Sequence, residues 1–167
     1  MLHDLHICNL NERPHWLKTL AAWHHQEWVY GCSSSPSKAL FDKHLQDREQ
    51  HLTKHLTLDS LPTSLVASID GKPVACVSLV RYQFTANQQA QEWLTNLFVD
   101  VDYRRQGVAT QLLICAEDYA VELGFLGLQL YTRNQASFYS KRGWQQTGTG
   151  RVQGHTVSIL KKTFNNG

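Results

Sequence analysis

The sequence predicts a mixed α/β domain (an α+β mixed sheet), in which antiparallel strands come first and a strand–helix–strand–helix unit follows. Three observations carry this prediction. Apolar residues recur at helical spacing near the N-terminus, and the hydrophobic period shortens to that of strands after Pro62. Two β-rich runs, SLVASID and KPVACVSLVRY, are joined by Asp70–Gly71, a pair that favours the tight turn of a hairpin. Further on, WLTNLFVD leads through VDYRRQG into a helix of about five turns, and LGLQLYT then opens a second strand–helix pair.

Taken in order, LHICNL is a first short strand. NERP carries a helix-start signal, with Asn11 as the N-cap and Pro14 in the first turn. Trp16, Leu20, His24 and Trp28 recur every four residues, and Leu17 and Ala21 widen the stripe, so one face of this helix is apolar. YGCSSSPS ends it. A second helix is expected from about Lys38 to Leu56, with Leu45, Leu52 and Leu56 at helical spacing. After the hairpin, a glutamine-rich loop (Thr85 to Gln91) precedes the next strand. In the long helix Val108, Leu112, Ala116, Tyr119 or Ala120, and Leu123 form the buried stripe, and Gly124 stands where a left-handed cap is expected. NQASFYSKR is a short helix stopped by Gly143, and strands near Gln145 and in TVSILKK complete the chain.

A chain of 167 residues fits one domain spanning 1–167, large enough to bury a core without disulfides or metals. Hydrophobic residues are 42% and charged residues 18%, a balance that folds rather than stays disordered. The formal charge is only +2, and Lys and Arg occur in pairs rather than clusters, so no nucleic-acid surface is expected. Cys8, Cys32, Cys76 and Cys115 form no C-x-x-C pair and fit no zinc spacing; they read as reduced thiols of a cytoplasmic protein. MLHDLHICNL lacks the basic and then apolar form of a signal peptide. No stretch approaches the roughly 18 apolar residues of a membrane helix, so no membrane partner is expected.

The stretch RRQGVATQLL, Arg104 to Leu113, concentrates donors and a glycine where a strand hands over to a helix. A helix start leaves backbone N–H groups without partners and carries about half a positive charge. An anion docked there gains roughly 0.3–2 kcal/mol from the dipole alone. Gly107 lets the backbone approach a phosphate closely, Ala109 is small, and Arg104 and Arg105 add fork-shaped donors. The pattern Arg-x-x-Gly-x-Ala therefore reads as a diphosphate cradle. Neither GxxxxGK[ST] nor GxGxxG is present.

With NQASFYSKRGW about 25 residues after it, LFVDVDYRRQGVATQLL resembles the acetyl-CoA pyrophosphate loop of the GNAT superfamily of N-acetyltransferases, from the hairpin near Leu65 to Trp144. The resemblance implies a GNAT-like acyl-CoA N-acyltransferase fold: a central, mostly antiparallel sheet with flanking helices and a splayed strand pair. It implies that the backbone of Phe98 and Val99 pairs with the pantetheine arm as an extra strand would. Arg104, Arg105, Gln106, Gly107, Val108, Ala109 and Thr110 would wrap the pyrophosphate, and Asn134 would contact the cofactor, alone or while capping its helix. Tyr139 would stand near the sulfur. Its phenol, with a reference pKa of about 10, stays protonated at neutral pH and is the expected general acid for the leaving thiolate. The attacking amine must lose a proton, and Glu92 is the carboxylate expected as base, with a water relay as the alternative.

The implied enzyme is an acetyl-CoA-dependent N-acetyltransferase that moves an acetyl group to a primary amine by direct attack. A non-catalytic acetyl-CoA-binding module or sensor is the alternative. The acceptor is a small-molecule amine or a peptide N-terminus; a homodimer and a longer acyl donor both stay open. No metal is expected: His24 and His25 diverge by about 100° on a helix, and His44, His51 and His55, although on one face, have no further ligand to complete a site and read as a solvated face. Trp16, Trp23, Trp28 and Trp93 read as core or as walls of the acceptor pocket.

Overall fold

A computed structural model describes residues 4–29, 38–56, 61–84, 86 and 89–164. The strands are β1 (Leu5–Asn9), β2 (Thr63–Ile69), β3 (Lys72–Tyr82), β4 (Gln91–Val99), β5 (Gly127–Thr132), β6 (Gln145–Val152) and β7 (His155–Thr163). The helices are α1 (Leu17–His24), α2 (Lys38–Thr53), α3 (Val108–Glu122) and α4 (Ala136–Ser140). The strands form one sheet in the order β1–β2–β3–β4–β5–β7–β6. Every neighbouring pair is antiparallel except β4 and β5, which run parallel. The α+β architecture with a mostly antiparallel sheet is thus observed as expected.

Local chemistry sets most of the boundaries. Asp70 and Gly71 have φ of 52° and 74°, two consecutive left-handed residues that turn β2 into β3 with the twist a hairpin needs. α3 ends at Gly124, whose φ is 85°, and the Phe125 N–H reaches back to the Ala120 carbonyl at 3.0 Å. That 6→1 bond is the signature of a Schellman cap. The N-terminal helix start is shifted from the expected place. Asn9, not Asn11, is the cap: its side chain accepts from the Asn11 N–H at 2.8 Å, and Glu12 accepts from the Asn9 N–H at 3.1 Å. Asn9 also donates to Thr63 Oγ1 at 2.8 Å, which ties this corner to β2. Two short 3-10 turns then lead into α1, the second with Pro14 at its start. α2 closes at Thr53, one turn earlier than the leucine spacing suggests. YGCSSSPS with Cys32, the side chain of Trp28, and residues 85, 87 and 88 of the glutamine-rich loop lie outside the described residues.

The sheet separates two packed layers. On one face α3 buries Val108, Leu112, Leu113, Ala116 and Ala120 against Leu65, Ala67, Ala75, Val77, Leu79 and Leu94. On the other, Leu17, Leu20 and Ala21 of α1 and Leu52 of α2 cover Val66 and Cys76. The alternation along β2 and β3 decides which residue faces which layer. Each fully buried leucine of these layers contributes about 1.5–3 kcal/mol. No helix among the described residues is long and apolar enough to cross a membrane.

The second layer also holds a polar seam. His55 Nδ1 lies 2.8 Å from Ser64 Oγ, which lies 2.8 Å from Ser78 Oγ. His55 is 1% exposed, so the expected solvated histidine face is corrected at this residue, where the chain beyond α2 folds the ring under the sheet, while His51 stays exposed and His44 is half-buried. Burial, reinforced by His51 and Arg48, pushes its pKa down from 6.5 to about 4. A histidine held neutral in the native state takes up a proton more readily when unfolded. Its contribution is therefore fully present above pH 6.5 and is lost as pH falls toward 4. The melting temperature should drop across this window, and His55→Gln should flatten that slope. Thermal melts at closely spaced pH values check it, and an equal slope in the variant would refute the assignment.

Candidate functional site

β4 and β5 are paired in register at a single position, Trp93 opposite Gln129. Beyond it the strands part. Two features drive the separation. β5 is fully registered with β7 along Gly127–Thr132. β4 carries a bulge, with Asn96 at φ 57° and a register shift where Cys76 and Ser78 of β3 face Phe98 and Thr95. Asparagine tolerates that left-handed conformation better than most residues, and a bulge bends its strand.

A cavity of about 980 Å³ opens where the strands part. One wall is Leu94–Val99 of β4; facing it are Leu130–Thr132, the following Arg133–Gln135, and Phe138, Tyr139 and Arg142 of α4 and its exit. Its floor at one end is the loop of Arg104, Arg105, Gly107, Val108, Ala109 and Thr110, while His24, Glu27 and Arg48 line it from the second helix layer. Five arginines and one glutamate are among these described residues, so the space is strongly positive.

The loop is shaped by its backbone. The Asp100 carboxylate accepts from the Asp102 N–H at 3.2 Å, and the Asp100 N–H bonds the Val74 carbonyl at 2.8 Å. Arg105 and Gly107 take φ of 62° and 84°. Gly107 is the N-cap of α3 and no side chain caps this end. The first intrahelical bond is from the Gln111 N–H to the Gly107 carbonyl, 3.1 Å. The N–H groups of Val108, Ala109 and Thr110 therefore have no carbonyl behind them in the helix. A Cβ at Gly107 would meet no atom within 4 Å. Glycine is needed here for its φ, and the open space beside the helix end is room for an anion.

Side chains complete this end. Arg104 donates from Nε to the Val99 carbonyl at 2.8 Å and lies over the Phe98 ring, 5.4 Å from its centroid. Arg142, which the motif reading missed, stacks on Phe138 at 3.9 Å and donates to the Phe138 carbonyl at 2.7 Å and to Thr110 Oγ1 at 3.2 Å. Its own carbonyl accepts from Lys162 at 2.9 Å, and Lys162 pairs with Glu117 of α3 at 2.7 Å. Trp144 Nε1 donates to the same carboxylate at 3.1 Å. The only sequence signal for Arg142 was its place just before Gly143, at the end of the short helix. Gln106 bonds the Asp102 carbonyl at 3.4 Å and does not line the cavity.

Tyr139 is 8% exposed and packs edge-on against Phe138 and Trp144, with centroids 5.0 and 6.0 Å away. Burial pushes its phenol pKa up to about 12. Asn134 lines the cavity, but it does not cap α4: Gln135 is the cap residue, without a side-chain bond. Glu92 stands apart from these residues. It faces Arg81 across β3 and β4, pairs with it, and is not in the cavity wall. Trp93 is likewise withdrawn, 2% exposed among Tyr82, Phe84 and Tyr131. Trp16 is core, and Trp23 packs on Phe98 at 5.4 Å. From α1 and the π-helical turn His25–Val29 that follows it, His24 and Glu27, not a described tryptophan, reach the cavity. Among the described residues no group of three His, Cys, Asp or Glu could hold a metal ion.

A model of the acetyltransferase (GNAT) family matches residues 17–144. No curated protein sequence matches the chain. Among solved structures, the chain resembles aminoglycoside 6'-acetyltransferase type Ii at a TM-score of 0.70 and 15% identity, over 95% of this chain and 96% of that one. It resembles PaiA N-acetyltransferase from Thermoplasma acidophilum in complex with coenzyme A at 0.66 and 22%, over 96% and 99%. It resembles the NatC complex bound to Gag peptide and coenzyme A at 0.62 and 14%, over 97% and 99%. At these identities the likeness is one of fold.

The φ of Gly107 makes a prediction that needs no ligand. Gly107→Ala should lower the melting temperature by about 2–5 °C, through left-handed strain partly offset by a less flexible unfolded chain. Calorimetry checks it; an unchanged melting temperature would show that the loop relaxes freely.

Proposed function

The chain belongs to the GNAT family of acetyltransferases, and on that premise we propose that it binds acetyl-CoA between β4 and β5 and transfers the acetyl group to a primary amine. The observation that carries this reading is the continuity of one cavity from the open N-terminus of α3 to Tyr139. A diphosphate at the Arg104–Thr110 loop meets unpartnered N–H groups, the helix dipole and the arginine forks. Arg104 spends Nε on the Val99 carbonyl, which leaves its terminal nitrogens to face the anion. The edge of β4 at Phe98 and Val99, abandoned by β5, offers the pantetheine arm a strand to pair with. Asn134 and Thr110 line the same path.

Bound acetyl-CoA supplies an activated thioester, so the chain needs no nucleophile of its own. Its residues orient the reactants and manage protons. N–H groups on the β4 side that β5 vacates stabilise the oxyanion formed on attack. Tyr139, kept protonated by burial, donates to the departing sulfur. Glu92 is occupied by Arg81 outside the cavity, so the amine proton leaves to water in the open space rather than to that carboxylate. The acceptor is a small amine or a peptide N-terminus. The acetyltransferases of similar fold include one that acts on aminoglycosides and one bound to a peptide.

The direct test is thiol release from acetyl-CoA with a broad panel of amines. Turnover supports the transferase; tight acetyl-CoA binding with no turnover on any amine would instead support a binding module. Tyr139→Phe should lower kcat by about 100-fold, at the low end of general-acid effects, with acetyl-CoA affinity unchanged. Stopped-flow turnover and calorimetric binding on the same preparation separate the two quantities, and an undiminished kcat would remove Tyr139 as the acid.

A further inference from the structure

Arg48 lines the cavity without belonging to its diphosphate end. It rises from α2, in the helix layer on the opposite face of the sheet from α3. Its Nε and Nη2 lie 3.2 and 2.9 Å from His24 Nδ1. A guanidinium has no acceptor atom, so Nδ1 must be the acceptor and the imidazole proton sits on Nε2, which faces Cys76 Sγ at 3.4 Å. His24 is 1% exposed, and burial, Arg48 and the neighbouring histidines hold its pKa well below the usual range. It therefore orients the guanidinium without neutralising it.

Among the described residues Arg48 has no counter-anion. The ion pairs among the described residues are Arg81–Glu92 and Lys162–Glu117, and neither involves it. Glu27 is the single carboxylate among the described lining residues, and it makes no ion pair with Arg48. A partly buried guanidinium is costly to keep without an anion. Two of its five N–H donors serve His24, and the remaining ones form the planar edge that matches a carboxylate. The cavity thus offers, in its second helix layer, a cation awaiting an anion and a carboxylate suited to an ammonium.

We propose that the acceptor is a small zwitterionic amine: Arg48 binds its carboxylate, and Glu27 attracts its ammonium before the proton is lost. The proposal rests on the transferase reading above and narrows its acceptor. A polycationic amine would meet Arg48 as a like charge, which selects against it.

The test is acetyl transfer to matched amines: amino acids, the corresponding amino-acid amides, and the decarboxylated amines. The amides hold their amine proton less tightly than the acids, so that bias runs against the proposal. The acids should be preferred over the amides by about 10- to 100-fold in kcat/KM, the worth of a charge-assisted contact. Arg48→Gln should bring this ratio near one, with acetyl-CoA affinity unchanged as the check on the fold. Arg48→Lys, which keeps the charge but not the fork, should retain part of the preference and serves where the glutamine variant does not fold. Transfer to acids and amides alike, or an undiminished ratio in either variant, overturns the proposal and leaves the transferase standing. Absence of transfer to every amine overturns both.

Discussion

The constraint on which the site depends is the failure of β4 and β5 to stay paired. One registered position, Trp93 with Gln129, holds the two halves of the sheet together. Immediately past it, the Asn96 bulge turns β4 away while β7 keeps β5 straight. A fully zipped sheet would satisfy more backbone groups but would leave no cavity. The unpaired edge is the cost of a site, and the aromatic cluster of Tyr82, Phe84, Trp93 and Tyr131 packs around the last joined residues. Trp93 Nε1 is buried there without a hydrogen-bond partner among the described residues, a sign that ring packing outweighs hydrogen bonding at this corner.

Once the strands part, position is everything. The N-terminus of α3 points into the gap because its apolar stripe fixes the helix on the sheet and the turn after Asp100 fixes where it starts. α4 is too short to hold itself in place. It is fastened to α3 through Lys162, Glu117 and Trp144, which share one carboxylate, and through Arg142 on Thr110. Tyr139 inherits its place from that fastening. Much of what touches the cavity is therefore positioned by contacts outside it.

Legibility in the sequence followed the range of the interactions. The Asp70–Gly71 hairpin, the stripe of α3 and its end at Gly124 were readable because each is set within a few residues. Gly107 stood out in the sequence by its spacing, and its left-handed φ added a reason for glycine that spacing could not supply. For Glu92 the sequence could not show its partner, because only the register of β3 against β4 reveals that it faces Arg81. Arg48 and His24 lie 24 residues apart and meet only when α1 and α2 pack side by side. The histidine spacing along and just past α2 was visible, yet the burial of His55 depends on its contact with Ser64 of β2, which only the fold brings together.

The arginines of the cavity have an effect beyond contact. A formal charge of +2 makes this a nearly neutral protein, yet among the described residues five guanidiniums converge on one opening beside a single glutamate. The balance of acidic residues must then lie on other surfaces, and the molecule is electrically polarised rather than charged. Such a polarised body turns in the field of an approaching polyanion, and its low-dielectric walls gather the field lines into the gap. Capture of an anionic ligand is thereby quickened at low ionic strength and slowed as salt screens it over about 8–10 Å. The mouth where two strands failed to meet thus also sets the direction from which small anions arrive.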